Sequence, residues 1–304
     1  MKRCFHPFRC LFLTAALMLG ALPAQAEDHV PFLSVDDLPN AVNYLPPPPD
    51  HFKEQFKWDY YYYQQGKALR KTPRGEQAKA EADHSTESLA KVFSPALNIH
   101  ISPKTTPNIY ALIGRVRDTA SLATKKGKKF FGRTRPYAYF NEVSLIPEAE
   151  ATHNPNASYP SGHASMGWAV ALVLSEIAPN AQDEILRRGY EFGNSRVIAG
   201  YHFESDVNAG RMAGSATVAR LHADDEFLIY MKHAKAEYNS MLELKKNNAA
   251  SEQMPTYFAP NAGAVQGESP KNPHPTNRKS SKKLDKNNEN RRPADGSVDL
   301  PLPF

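Results

Sequence analysis

The residues able to do chemistry in this chain fall in three short stretches. The central one is Ala157-Ser158-Tyr159-Pro160-Ser161-Gly162-His163-Ala164-Ser165, which runs straight into an apolar segment, Met166 to Leu174. Pro160 stops whatever precedes it. Ser161 suits a helix N-cap, and Gly162 lets a ligand come close to the backbone. The first N–H groups of such a helix have no partners and carry the positive end of its dipole. A helix start of this kind is an anion site, with His163 beside it as an acid. Alone, the stretch reads as readily as a capped structural helix with an incidental histidine.

The other two stretches shift that balance. Upstream, Lys128 is followed by six residues and then Arg135-Pro136. Downstream, Ser195-Arg196 is followed by five residues, then His202, then three more and Asp206. Phosphoryl transfer needs positive charge and N–H donors around three equatorial oxygens, and a nucleophile in line with the leaving group. Arg135 and Arg196 offer planar forks that match phosphate, and Lys128 adds a point charge. Singly, each has a plainer reading. Arg135 begins a loop, Arg196 makes a surface ion pair, and His202 with Asp206 at i, i+4 makes half a metal site without a third ligand at a telling spacing.

In order and spacing, the three pieces resemble the phosphatase superfamily that includes phosphatidic acid phosphatase type 2, vanadium haloperoxidases and the bacterial class A non-specific acid phosphatases. Leu69 to Gly75, Phe93-Ser94-Pro95-Ala96 and Arg188 to Gly193 are similar to the class A group, and the resemblance covers roughly residues 44–226. It implies that Lys128, Arg135, Ser161, Gly162 and Arg196 hold the phosphate. It implies that His202 is the nucleophile, forming a phosphohistidine, and that Asp206 fixes its tautomer. It implies that His163 protonates the leaving oxygen and then activates water. No metal and no other cofactor is implied, since the cations fill that role. The substrates expected are small phosphomonoesters: nucleotides, sugar phosphates and aryl phosphates. The alternative is a vanadate-dependent haloperoxidase on the same site. The remaining histidines, among them His51, His84, His153 and His222, belong to no such pattern and read as structural or solvent-facing. His202 is expected to have a low pKa and His163 a high one, as a nucleophile and an acid with split roles require.

Three departures from the class A pattern stand out. Ala164 replaces Thr and Phe203 replaces Trp, and both are expected at the pocket wall. Leu145 and Ala199 occupy the places where a disulfide often joins the segment after Arg-Pro to the one before the second histidine. Both cysteines are absent together, so this contact is expected to be packed.

The elements that must position these residues read as helical throughout. Thr72-Pro73 and Thr106-Pro107 each read as an N-cap followed by Pro at the first helical position. Ile109, Ile113, Val116 and Ala120 share one face. Met166 to Leu174 is apolar all round, so its helix is expected to be central and to end by Pro179. Asp183 and Glu184 suit the first turn of the next helix, with Ile185 and Leu186 facing in. Ala209, Gly210, Ala213, Gly214, Ser215 and Ala216 allow close packing after Asp206. Trp58 and Tyr60 to Tyr63 read as core aromatics. No alternating strands and no repeat are legible, and the expected fold is all-α, a single helical domain.

The expected organisation is a leader at 1–26, an extended Pro-rich arm at 27–49 ending in Pro46 to Pro49, a helical domain at 50–246 and a disordered basic tail at 247–304. Lys2, Arg3 and Arg9, the apolar Leu11 to Leu22, and Ala24-Gln25-Ala26 make the leader read as a signal peptide cleaved near Ala26, with a periplasmic or secreted destination. Both cysteines, Cys4 and Cys10, lie inside it. The mature chain must therefore be held by its core. The formal charge is +5. The leader carries three of these, and residues 246–304 hold nine Lys/Arg against six Asp/Glu, which leaves residues 27–245 at −1. The basic character thus sits at the ends and argues against a nucleic-acid-binding core. No apolar run of the mature chain is long enough to span a bilayer. Weak contact of the tail with anionic surfaces is expected of its composition. The resemblance suggests a homodimer and leaves the oligomeric state open.

Overall fold

The computed structural model describes residues 30–252. Among these residues the chain forms helices and no strand. In order they are α1 (Ala41–Tyr44), α2 (Phe56–Leu69), α3 (Pro73–Ala80), α4 (Thr86–Leu97), α5 (Pro107–Leu122), α6 (Lys125–Phe131), α7 (Pro136–Tyr139), α8 (Pro147–Glu150), α9 (Gly162–Ile177), α10 (Gln182–Ala199), α11 (Glu204–Leu221) and α12 (Asp225–Glu252).

The apolar run makes α9 the axis of the molecule, with α5, α10 and α11 packed around it. Eleven of its sixteen residues are buried, Met166, Ala169, Val170, Val173 and Leu174 among them. A helix apolar on every side can exist in water only when neighbours cover every side. Close approach makes this cover tight. A Cβ on Gly210 would meet the Ser161 carbonyl oxygen at 2.3 Å, and one on Gly214 the Ser165 oxygen at 2.7 Å. The small residues after Asp206 therefore bring α11 against α9, as their run predicts, although Ser215 itself is exposed and accepts a bond from Trp168 Nε1. Ile109, Ile113, Val116 and Ala120 are buried on α5. Thr72 and Thr106 sit at the N-cap positions before Pro73 and Pro107, without side-chain cap bonds. Asp183 and Glu184 lie in the first turn of α10, and Ile185 is buried.

The aromatic expectation needs correction. Tyr63 is fully buried, but Trp58, Tyr60 and Tyr61 are 66%, 48% and 47% exposed. Consecutive residues on a helix step about 100° around it, so a run of aromatics cannot all face one way. The buried face of α2 is Phe56, Asp59, Tyr63 and Gly66. The arm also departs from a purely extended path, because α1 forms one turn capped by Asn40. It is fastened by Tyr159, whose hydroxyl donates to the Pro46 carbonyl at 2.5 Å. At the other end α12 continues past residue 246, so the helix runs further than the composition suggests. The leader, and the tail beyond Glu252, lie outside the described residues.

The expected packed contact is present. Leu145 N–H donates to the Ala199 carbonyl at 2.9 Å, and Leu145 packs against the apolar cluster of Tyr137, Ile146, Ala199 and Tyr201. Next to it, Gly200 ends α10 at φ +80, a conformation that favours glycine. There a Cβ would also meet the Arg70 guanidinium at 2.3 Å. This sharp end turns the chain toward His202.

Candidate active site

Four helix ends converge on one cavity of about 320 Å³. The start of α9 supplies Gly162 and His163, the N-cap position of α7 supplies Arg135, and α6 supplies Lys128. The last turn of α10 supplies Arg196, and the loop before α11 supplies His202. Six of the eight residues expected from sequence therefore line one space. Ser161 and Asp206 stand behind it, both buried. Ser161 caps α9, its Oγ accepting the Ala164 N–H at 3.3 Å. Its own N–H donates to the Asp206 carbonyl at 2.9 Å. This bond ties the start of α9 to the start of α11.

The cations are arranged for an anion. The Arg135 guanidinium is fixed by the carbonyls of Asn154, Tyr201 and Ala157 at 3.0–3.1 Å. Lys128 Nζ donates to the Ala157 carbonyl at 2.7 Å. Arg196 lies over the Tyr201 ring, 4.5 Å from its centre, and its buried Nε and one terminal nitrogen have no partner. Buried guanidinium N–H groups without acceptors are costly, and an oxyanion would satisfy them.

Arg135 also settles the orientation of His202. A guanidinium nitrogen stands 3.0 Å from His202 Nε2 and can only donate. Nε2 must then carry the lone pair and Nδ1 the proton. Nδ1 faces Ser158 Oγ at 3.4 Å and Asp206 Oδ2 at 3.6 Å. Asp206 Oδ2 also accepts from the Ser158 hydroxyl at 2.6 Å and from the Phe203 N–H at 2.8 Å. Its Oδ1 accepts from Arg133 at 2.6 Å. Asp206 is thus a carboxylate with both oxygens engaged by the protein, unlike one held open for a metal. His163 is 7% exposed, and its Nε2 has no partner.

The chain matches the PAP2 superfamily over residues 110–228. It is 40% identical to the non-specific acid phosphatase of Salmonella typhimurium over 237 residues, which is 78% of this chain and 93% of that protein. The chain belongs to the PAP2 superfamily. Within it, the chain stands with the non-specific acid phosphatases. It is 44% identical to that of Providencia stuartii over 64% of this chain and 79% of that protein. An acid phosphatase of Zymomonas mobilis is 29% identical over 76% of this chain and 89% of its own length.

The electrostatics of this PAP2 site are those of an anion receptor. Burial first, and Arg135 second, bring Lys128 down to about 7. The same two causes bring Arg196 to about 10. Burial holds His202 well below the ordinary histidine range, helped by Arg135, Lys128 and Arg196. His163 also lies well below it, through burial, then Arg196, His84 and His202. The low value of His202 agrees with the expectation, but the high value of His163 does not hold. Burial comes first for both rings, and Arg196 is the cation that acts on both.

Some lining residues carry no signal in the sequence pattern. His84 and His153 border the cavity, so the reading of both as structural or solvent-facing is corrected. His84 stands edge-on to His163, ring centres 5.4 Å apart. Arg133, two residues before Arg135, was also not singled out, although it holds Asp206. A second acidic partner, Asp59, lies far away on α2, and only the fold brings it there. Ala164 and Phe203, expected at the wall, do not line the cavity. Ala164 packs with Val197 and Val207, and Phe203 packs under Arg133 and against Phe56.

Proposed function

We propose that the chain is an exported phosphomonoester hydrolase that works through a phosphohistidine on His202 and needs no metal. One observation carries the reading: His202, whose Nε2 is kept unprotonated by the Arg135 donor, lines the same cavity as His163, whose Nε2 has no partner. The substrate phosphate is held by Arg196, Arg135, Lys128 and the first N–H groups of α9, with the Ser161 hydroxyl behind them. His202 Nε2 forms a bond to phosphorus as the phosphorus–oxygen bond to the leaving group breaks. The proton on His163 passes to the leaving oxygen. His163, now neutral, takes a proton from a water whose oxygen attacks phosphorus. The phosphorus–nitrogen bond breaks and inorganic phosphate leaves. Asp206 balances the positive ring during the intermediate.

Burial first and Arg196 second hold His163 below the ordinary histidine range, so charging it takes acid, which supports an acid optimum. A bound anion facing Arg196 favours the charged ring, so proton and substrate bind together. The relatives named as non-specific acid phosphatases support small phosphomonoesters as the substrate class, and nucleotides, sugar phosphates and aryl phosphates are the members expected from the sequence. No helix of the described residues is long and apolar enough to cross a membrane, which disfavours the multi-span lipid phosphatases. Export rests on the leader-like residues 1–26.

The test is hydrolysis of p-nitrophenyl phosphate by the mature protein in EDTA, followed by acid quenching. Turnover with acid-labile phosphate on His202 is expected. Halide oxidation by peroxide with added vanadate, without hydrolysis in its absence, would identify a haloperoxidase instead.

A further inference from the structure

Asp206 does not stand alone behind His202. Arg133 bridges it to Asp59. One Arg133 nitrogen donates to Asp206 Oδ1 at 2.6 Å and to the Ser205 hydroxyl at 2.7 Å. The other donates to Asp59 Oδ2 at 2.7 Å. Asp59 also accepts the Ser205 N–H at 2.8 Å and the Ser205 hydroxyl at 2.6 Å. The guanidinium lies 4.4 Å from the centre of the Phe203 ring. Asp59, Arg133 and Asp206 are all at most 5% exposed.

We infer that Arg133 and Asp59 are a positioning pair that sets how much of the Asp206 charge is left to face His202. The inference rests on His202 being the nucleophile. The three members carry one net negative charge. Arg133 with Asp206 alone would be neutral, and nothing would then balance the positive ring that forms when His202 bonds phosphorus. Asp59 supplies the missing charge by holding the far side of Arg133. Low local polarity makes such sharing effective over one side chain.

The cations around His202 push the opposite way: Arg135 touches it from the start of α7, and Lys128 on α6 and Arg196 on α10 act across the cavity. His163 on α9 is held toward its neutral form by burial first. Ser158 offers a hydroxyl and a backbone hydrogen bond that favours the charged ring but carries no charge. Around Arg133, besides the two carboxylates, stand the Pro49 carbonyl at 3.5 Å and His51, whose own value is lowered by burial and then by Arg133. Asp206 is thus the one anion touching the His202 ring among the described residues, and Arg133 is the group that divides it.

Two variants should move the site in opposite directions. In Asp59→Asn, Arg133 is left to Asp206 alone, and the intermediate loses its counter-charge. The kcat should fall about tenfold for each unit lost in the basicity of the ring. Inhibition by inorganic phosphate should stay equal or tighten, since the site becomes more positive. In Arg133→Gln, Asp206 faces His202 undivided. The histidine, followed by NMR in the substrate-free protein, should titrate at higher pH than in wild type, and phosphate inhibition should weaken. A merely structural role would lower kcat and phosphate binding together in both variants, and that result would overturn the inference. So would an unchanged kcat in Asp59→Asn. Circular dichroism checks folding. If Asp59→Asn does not fold, Arg133→Lys takes its place, with reduced kcat and unchanged phosphate inhibition expected, and any other pattern counting against the pair. Absence of phosphate on His202 in quenched wild-type protein would remove the reading beneath this inference. Its presence, with the variants failing to split, would remove the pair alone.

Discussion

His163 lies flat against Phe192, with ring centres 4.3 Å apart and planes inclined by 12°. The stack fixes the imidazole, buries one face of it, and leaves Nε2 toward the cavity. Substitution of Phe192 by Leu keeps the apolar cover and removes the flat wall. It should lower kcat/KM several-fold while sparing inhibition by phosphate, because the acid is misplaced and the cradle is not. Steady-state kinetics with phosphate as inhibitor check this.

His163→Asn should harm esters of poor leaving groups most. Alkyl phosphates need a proton on the departing oxygen, whereas p-nitrophenolate hardly does. A loss of roughly 10²–10⁴-fold is expected for the alkyl ester and much less for the aryl ester. Equal losses at every pH would mean that another group is the acid.

His202→Ala should abolish turnover with the fold retained, measured by circular dichroism beside the assay. The ring is buried, and burial together with Arg135, Lys128 and Arg196 disfavours its charged form, so the alanine removes no charge on which the fold depends. Residual wild-type turnover would exclude His202 as the nucleophile.

Phosphate binding should weaken above pH 7. Burial first and Arg135 second bring Lys128 down to about 7, so it is charged below that value and neutral above it. The inhibition constant for inorganic phosphate should rise by up to about tenfold per pH unit above 7. In Lys128→Gln that slope should flatten. Stability has a related sign. His163 and His202 are held below their unfolded value of 6.5, so the unfolded chain binds more protons there. The melting temperature should fall as pH drops below about 6.5. Phosphate at a hundred times its dissociation constant should restore about 2.7 kcal/mol.

Leu145→Cys with Ala199→Cys should form a disulfide, because the two backbones are already hydrogen-bonded across the loop. Stabilisation of about 2–4 kcal/mol is expected, lost on reduction. Thermal melts with and without reductant measure it.

The fold was legible where patterns repeat. The apolar run of α9, the cap at Ser161 and the small residues of α11 each name their own surroundings. The cradle was legible because its cations and histidines stand at fixed spacings on helix ends. Asp59 was not, since a lone acid on an aromatic helix looks like any solvated charge until α2 packs beside α11. His84 and His153 were missed for a similar reason: their place at the cavity is set by the paths of two loops, and loops have no period to read. Trp58 and its neighbours misled because composition counts aromatics without regard to the direction each one points.

The bond from the Ser161 N–H to the Asp206 carbonyl joins the two halves of the site through the main chain. The turn that opens the phosphate cradle and the turn that carries the carboxylate behind His202 are therefore latched to each other, and among substitutions only Ser161→Pro, which removes the N–H, undoes the latch directly. Heat that loosens one loosens the other. Activity and ellipticity should then vanish at a common temperature, leaving no warm, folded, idle form in between.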